Sequence, residues 1–463
     1  MSGELRLDPL TGNWVSIVGN RQARPNLPAT GCPFCVGGLE APEPYDTKAF
    51  VNRWPAYAPG EPVDLAAAAA TGRAAAVGAA EVILYSPVHD GSLGSLGVAQ
   101  VRKVVDLWGG VRNHETGAPW ESDTLVNVFS TTKGVASLTV AVAASRGLLD
   151  YDAKVADYWP EFAQNGKEAV TVRQLLAHQA GLAAITPPLA LSDLSDHAIL
   201  SDKIAAQAPA WPPGAHHGYH AVTLGWYEGE LIRRVDPAGR SLGRFFAEEV
   251  AAPLGLDFYI GLPASVDRDR VALLKVWPMA AMLLHLNSLP PAFAVAALNP
   301  FGLTARALAV AKGVDGMAPF NAEEVRRVEM PAANGTGTAR SVAALYGSAA
   351  TGGTEIGLSP AVLAELGSAA VPPSRGVRDK VLRVDTSFSL GFCKPAPFCL
   401  FGSSDNAFGT PGAGGSFGFA DPDTGVGFAY VMNKAGFHLA SDPRELALRQ
   451  ALFRDVLGER VQV

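Results

Sequence analysis

The chain has few cysteines, no long uninterrupted apolar run and no block of positive charge. Four cysteines in 463 residues exclude a disulfide scaffold, which depends on several pairs in a short chain. The oiliest stretch, residues 276–298, is broken by Pro278, His285, Asn287, Pro290 and Pro291, so no membrane-spanning helix and no membrane partner are expected. Lys plus Arg number 37 against 44 Asp plus Glu, a net charge of −7, and without a basic run nucleic acid is not an expected partner. Residues 1–10 are polar, so no signal peptide is expected and the expected location is the cytoplasm. What is present is apolar bulk. With 48% hydrophobic and 17% charged residues, the chain has enough for two or three domains and a large core.

The chain is organised around Val128-Phe129-Ser130-Thr131-Thr132-Lys133-Gly134. It reads as a strand end feeding a helix, with the apolar run continuing to Leu149. Ser130 and Lys133 are three apart and share a helix face. Val135, Leu138 and Val142 continue at helical spacing and anchor that helix in a core. A serine hydroxyl needs a base within hydrogen-bond reach and donors for the oxyanion that follows. Ser-x-x-Lys supplies nucleophile and base from one turn of helix, although the tetrapeptide alone also fits an ordinary capped helix.

The surrounding text narrows the choice. Val104-Val105-Asp106-Leu107-Trp108-Gly109-Gly110, Trp120-Glu121-Ser122-Asp123-Thr124, Tyr158-Trp159-Pro160-Glu161-Phe162-Ala163 and residues 171–182 (TVRQLLAHQAGL) accompany the Ser-Lys stretch. Together they resemble the serine β-lactamase/penicillin-binding family, most closely its class C-like, carboxylesterase-type branch. The resemblance implies an α+β fold: an antiparallel sheet flanked by helices, with a helical subdomain forming one wall of the cleft. It implies Ser130 as nucleophile, Lys133 as base and Tyr219 as the residue that moves the proton. Tyr219 follows the rigid turn Trp211-Pro212-Pro213-Gly214 and precedes Thr223-Leu224-Gly225. Ala221 stands where lactam-hydrolysing members carry Asn, which favours ester substrates. His216, His217 and His220 lack a carboxylate or Cys at ligand spacing and read as rim or core residues.

The stretch Gly412-Ala413-Gly414-Gly415-Ser416-Phe417-Gly418 contains Gly-x-Ser-x-Gly. As a nucleophile elbow it needs a helix to follow, but a hairpin strand follows, which argues against Ser416 as nucleophile. By resemblance this is the inner-edge strand beside the nucleophile. Gly414, Gly415 and Ser416 would line the substrate, and the N–H of Gly415 would join that of Ser130 in an oxyanion hole. Where the family carries Lys-Thr-Gly or His-Thr-Gly, the basic residue is missing, a second mark against penicillin-like substrates. Hydrolysis of this kind requires no cofactor, and the expected partner is a small-molecule ester.

Residues 1–100 read as a separate segment. Residues 5–17 suggest strand, turn and strand. Residues 65–80 are Ala-rich and suggest a loop or weak helix, and residues 81–86 suggest a strand. The order Arg21-x-x-Arg24-Pro25, Cys32-Pro33-Phe34-Cys35, Asn52-Arg53-Trp54-Pro55 and Ser86-Pro87-Val88-His89 resembles the N-terminal part of galactose-1-phosphate uridylyltransferase. The resemblance implies Cys32, Cys35 and His89 as zinc ligands and Arg21, Arg24, Asn52 and Arg53 around a nucleotide-sugar. That family's chemistry runs through a His-Pro-His motif, which none of the nine histidines forms. Nucleotidyl transfer is therefore the alternative activity, and an inactive fusion is a third. The hydrolase domain is expected over 104–463, lacking its usual first strand, with residues 81–85 as a substitute neighbour for residues 104–107.

Overall fold

The computed structural model describes residues 4–7, 14–17, 32–46, 48–51, 71, 73–75, 81–84, 87, 110–277, 285 and 288–459. They fall into two compact units, Met1–Gly110 and Val111–Val463.

In the first unit, β1 (Glu4–Leu7) and β2 (Trp14–Ile17) form the expected antiparallel pair, with Glu4 opposite Ile17. β3 (Lys48–Val51) precedes β4 (Arg73–Ala75), which pairs with the free edge of β1. The Ala-rich stretch therefore supplies a strand where a loop or weak helix was expected. Alanine is a poor strand former, but three residues suffice to satisfy an edge that would otherwise present unpaired N–H and C=O groups. β5 (Glu81–Leu84) is the expected strand and pairs antiparallel with β3. Its proposed pairing with residues 104–107 lies outside the described residues.

The second unit opens with the hairpin β6 (Val111–Asn113) and β7 (Ala118–Pro119). β8 (Val126–Asn127) then delivers the chain to α1 (Thr131–Ser145). α1 is buried on every side over Thr131–Ala143, as a helix apolar all round must be. The helix ends at Arg146 and the left-handed Gly147, short of Leu149. α2 (Val172–Leu176) starts in a reciprocal cap. Thr171 Oγ1 accepts the Gln174 N–H, and Gln174 Oε1 accepts the Thr171 N–H. α3 (Thr223–Val235) packs directly on α1.

β9 (Phe258–Tyr259) and β10 (Thr336–Gly337) complete a small sheet with β8, in which β10 is central. The Gly-rich stretch 334–337 thus contributes a strand. α4 (Ala339–Ala350) follows, capped by Thr338, and packs across the main sheet. That sheet is a five-stranded antiparallel meander: β11 (Phe388–Ser389), β12 (Phe392–Cys393), β13 (Phe408–Pro411), β14 (Phe417–Asp421) and β15 (Val426–Tyr430). Among the described residues 381–391 the only strand is β11. The residues before it are drawn into a turn around the Asp379 carboxylate, which accepts the Val381 and Leu382 N–H groups at 2.7 Å each. Such local side-chain bonds compete with a strand ladder. The fold is the expected α+β arrangement, with α1 between the meander and the helices around α3.

Candidate active site

Ser130 sits at the N-cap of α1. The residue before it, Phe129, is held at φ 47°, a left-handed conformation costing a bulky residue roughly 1–2 kcal/mol. Packing holds it there: the Phe129 ring is buried and meets Phe320 edge-on at 5.2 Å. The resulting sharp bend leaves Ser130 partly exposed while its neighbours are buried.

Lys133 is fully buried. Its Nζ lies 2.9 Å from Ser130 Oγ and donates to the carbonyls of Ala332 at 2.9 Å and Ala221 at 2.5 Å. Burial brings its pKa down to about 7, against the opposing pull of Glu228 and Cys393. A neutral amine has two N–H bonds and one lone pair. With both hydrogens held by carbonyls, the lone pair is left facing the Ser130 hydroxyl. Burial thus holds Lys133 partly neutral.

The Tyr219 ring lies 4.8 Å from Lys133 Nζ. Burial raises this phenol well above its ordinary range, although the neighbouring Ser130 side chain draws its pKa down, so it stays protonated and can act as a donor. Phe388 stacks on it at 5.8 Å, and the His178 ring lies at 5.0 Å. His220 and His178 meet Nδ1 to Nδ1 at 3.0 Å. His178 Nδ1 accepts the His220 main-chain N–H, and His220 Nε2 accepts the Leu182 N–H. Those acceptor roles place the shared proton on His220 Nδ1. Burial lowers both pKa values, that of His220 to about 3. The pair is thus neutral packing beneath Tyr219, and among the described residues no group of three or more His, Cys, Asp or Glu is placed to hold a metal ion.

Ser416 is buried. Its Oγ donates to the Val128 carbonyl at 2.7 Å and accepts from Thr131 Oγ1 at 3.1 Å. It ties β14 to the start of α1. A Cβ at Gly412 would lie 2.1 Å from Ser416 Oγ and 2.5 Å from the Val128 oxygen, so only glycine allows the main sheet this close to the nucleophile.

The Gly415 N–H, expected from the sequence to face the oxyanion, instead donates to the Gly412 carbonyl at 3.1 Å. The Gly414 carbonyl accepts from the Gly436 N–H at 2.7 Å and Arg444 Nη2 at 2.8 Å. Arg444 is in turn paired with Asp442 at 2.8 Å. Ala413, one residue past Gly412, is exposed. Among the described residues, the main-chain N–H groups of Ala413 and Ser130 have no protein acceptor.

Gly134 closes the back of the site. A Cβ there would lie 1.8 Å from the hydroxyl of Tyr346, which is fully buried. Gly134→Ala is expected to lower stability by about 1–3 kcal/mol through overpacking. Thermal unfolding checks this, and an unchanged melting temperature would contradict it.

In the first unit, Arg21, Arg24, Asn52, Arg53 and His89 lie outside the described residues. Cys32 and Cys35 stand in a tight turn, where the Gly38 N–H donates to the Cys35 carbonyl at 2.8 Å. Burial raises the Cys32 pKa, but the N–H groups of Phe34 and Cys35 and the Cys35 side chain outweigh it and draw the thiol below its ordinary value. A thiol drawn toward thiolate beside a second cysteine is the kind of pair that can serve as half of a zinc site.

A serine within reach of a buried, partly neutral lysine, on an α+β scaffold of this layout, defines the class: a serine hydrolase. The chain belongs to the Beta-lactamase family, whose model matches residues 92–452. It is 36% identical over 337 residues to the esterase/beta-lactamase LipL of Mycobacterium tuberculosis, covering 72% of this chain and 74% of that one. A crystal structure of a family VIII carboxylesterase superposes with a TM-score of 0.65 at 39% identity, covering 75% of this chain and 88% of that one. Over 107 residues, 23% of this chain, there is 38% identity to galactose-1-phosphate uridylyltransferase of Thermotoga maritima. The match spans 34%, about a third, of that relative's length.

Proposed function

We propose that residues 104–463 form an esterase that works by acyl transfer through Ser130. The observation that carries the reading is the placement of Lys133 Nζ, 2.9 Å from Ser130 Oγ with two carbonyls fixing its hydrogens. Lys133 takes the hydroxyl proton as Ser130 Oγ bonds to the ester carbonyl carbon. The oxyanion is held by the Ser130 and Ala413 N–H groups. Tyr219 gives its proton to the departing alkoxide and recovers one from Lys133. Water then attacks the acyl-enzyme, giving a proton back through the same groups and freeing the acid and Ser130.

Two absences favour esters over lactams: Ala221 offers no side-chain amide, and the Thr410-Pro411-Gly412 strand end carries no cation for a substrate carboxylate. Short-chain esters should be hydrolysed with kcat/KM at least about 10²-fold above that for a chromogenic cephalosporin, since an unmet polar recognition need is worth roughly that much. Parallel assays decide it, and equal or reversed values would overturn the ester assignment.

For residues 1–100 we propose a uridylyltransferase-like segment that keeps zinc without nucleotidyl transfer. Cys32, Cys35 and His89 would hold the metal, and Arg21, Arg24, Asn52 and Arg53 would surround a nucleotide-sugar. No His-Pro-His supplies the nucleophile that this transfer needs. The reading rests on the Cys32-Cys35 turn and on the match to the Thermotoga maritima relative. Metal analysis of the purified chain should find zinc, and Cys32→Ser should remove it while esterase activity persists. A metal-free wild-type protein would count against the site.

A further inference from the structure

The Tyr219 phenol is placed by its ring and by its main chain, and the main chain is held from a segment 160 residues away. Asp379 is fully buried. One carboxylate oxygen accepts the Val381 and Leu382 N–H groups at 2.7 Å each, and the other accepts the Tyr219 N–H at 2.9 Å. The turn around it is closed by the Asp379 N–H on the Val384 carbonyl at 2.9 Å and the Arg383 N–H on the Asp379 carbonyl at 3.1 Å. The Lys380 N–H donates to the His217 carbonyl at 2.9 Å. The same turn therefore grips the chain two residues before Tyr219 and at Tyr219 itself. Nine residues further on, Phe388 stacks on the Tyr219 ring.

We infer that Asp379 is a positioning residue for hydrolysis: its carboxylate fixes the main chain at Tyr219, and so holds the phenol beside Lys133 and Ser130. Asp379 acts through Tyr219, and the inference rests on the reading of Tyr219 as the proton donor. A carboxylate suits the task because it accepts three N–H bonds and donates none. Burial pushes this carboxyl up to about 6, opposed by those three N–H groups and Arg383, so at neutral pH it is an anion. Asparagine has the same shape but turns an NH₂ toward at least one of the three N–H groups, donor against donor.

The test is a double-mutant cycle in the full chain with Asp379→Asn and Tyr219→Phe, read on an alkyl butyrate and on p-nitrophenyl butyrate. Asp379→Asn should lower kcat on the alkyl ester roughly 10- to 100-fold, a part of what a placed acid contributes, with KM nearly unchanged. The deficit should shrink on the nitrophenyl ester, whose leaving group needs no proton. In the Tyr219→Phe background Asp379→Asn should cost little more, because the residue it serves is already disabled. Losses that multiply in the double variant, or that are equal on both esters, would overturn the inference and assign Asp379 a general structural role. If Tyr219→Phe alone keeps full activity, the reading of Tyr219 fails and the inference with it. Amide exchange in the wild-type protein gives a second readout that does not depend on the variant folding. The Tyr219 amide should exchange as slowly as its buried neighbours, and exchange at the rate of an exposed loop would overturn the clamp.

Discussion

Lys133→Met is expected to lower kcat/KM for a short-chain ester by roughly 10²–10⁴-fold, the usual contribution of a general base. Methionine fills a similar volume but supplies no lone pair opposite Ser130 Oγ. It also leaves the Ala221 and Ala332 carbonyls without the donor they share, a loss of about 1–3 kcal/mol for each buried acceptor. Removing a buried amine relieves its own desolvation in return, so the variant should still fold and the loss should fall on kcat. The wild-type pH profile carries the same information. Lys133 works as a base only when neutral, and burial brings its pKa to about 7. Activity should therefore fall as the pH drops through about 7 and level off above it. Glu228 is a buried neighbour whose own pKa is pushed up to about 8 by burial, and its ionisation raises that of Lys133. Across the limb Glu228 is largely neutral, so Glu228→Gln should move the limb only slightly, toward lower pH. A profile flat from pH 5 to 9 would remove Lys133 from the proton-transfer step.

Ser130→Ala is expected to reduce turnover by roughly 10⁴-fold or more, leaving only what binding and the oxyanion donors supply. The cavity left by one oxygen is small, and Ser130 is partly exposed, so the melting temperature should hardly change. Ser416→Ala should behave the other way. It breaks the ties to Val128 and Thr131 and should cost stability, with Ser130 still reactive. Substantial ester turnover by Ser130→Ala, with Ser416→Ala inactive though folded, would exchange the two assignments.

The helix bearing Ser130 and Lys133 was legible because its signals are local: a three-residue spacing and a run of apolar residues long enough for four turns. Tyr219 was legible from the rigid Trp-Pro-Pro-Gly turn before it. What holds these side chains was not legible, because the partners are main-chain groups brought from far along the chain. No residue type marks Ala221 and Ala332 as the acceptors of Lys133, since every residue has a carbonyl. That the Gly415 N–H is already bonded was hidden for a related reason. Residues 412–415 offer several N–H groups of nearly identical chemistry, and the left-handed turns at Gly414 (φ 82°) and Gly415 (φ 113°) decide which one is already bonded. Asp379 carries no local signal of its role, because its three N–H partners appear only once the turn is formed. The short strands β4 and β10 were hidden in Ala- and Gly-rich text, where pairing to a waiting edge outweighs weak propensity.

The measurement that tests the central claim most directly is labelling of the wild-type chain with a fluorophosphonate, followed by mass mapping of the modified peptide. One adduct is expected, on Ser130, forming faster as the pH rises through about 7 and absent from Ser130→Ala. An adduct on Ser416, or no adduct in a protein that unfolds cooperatively, would contradict it.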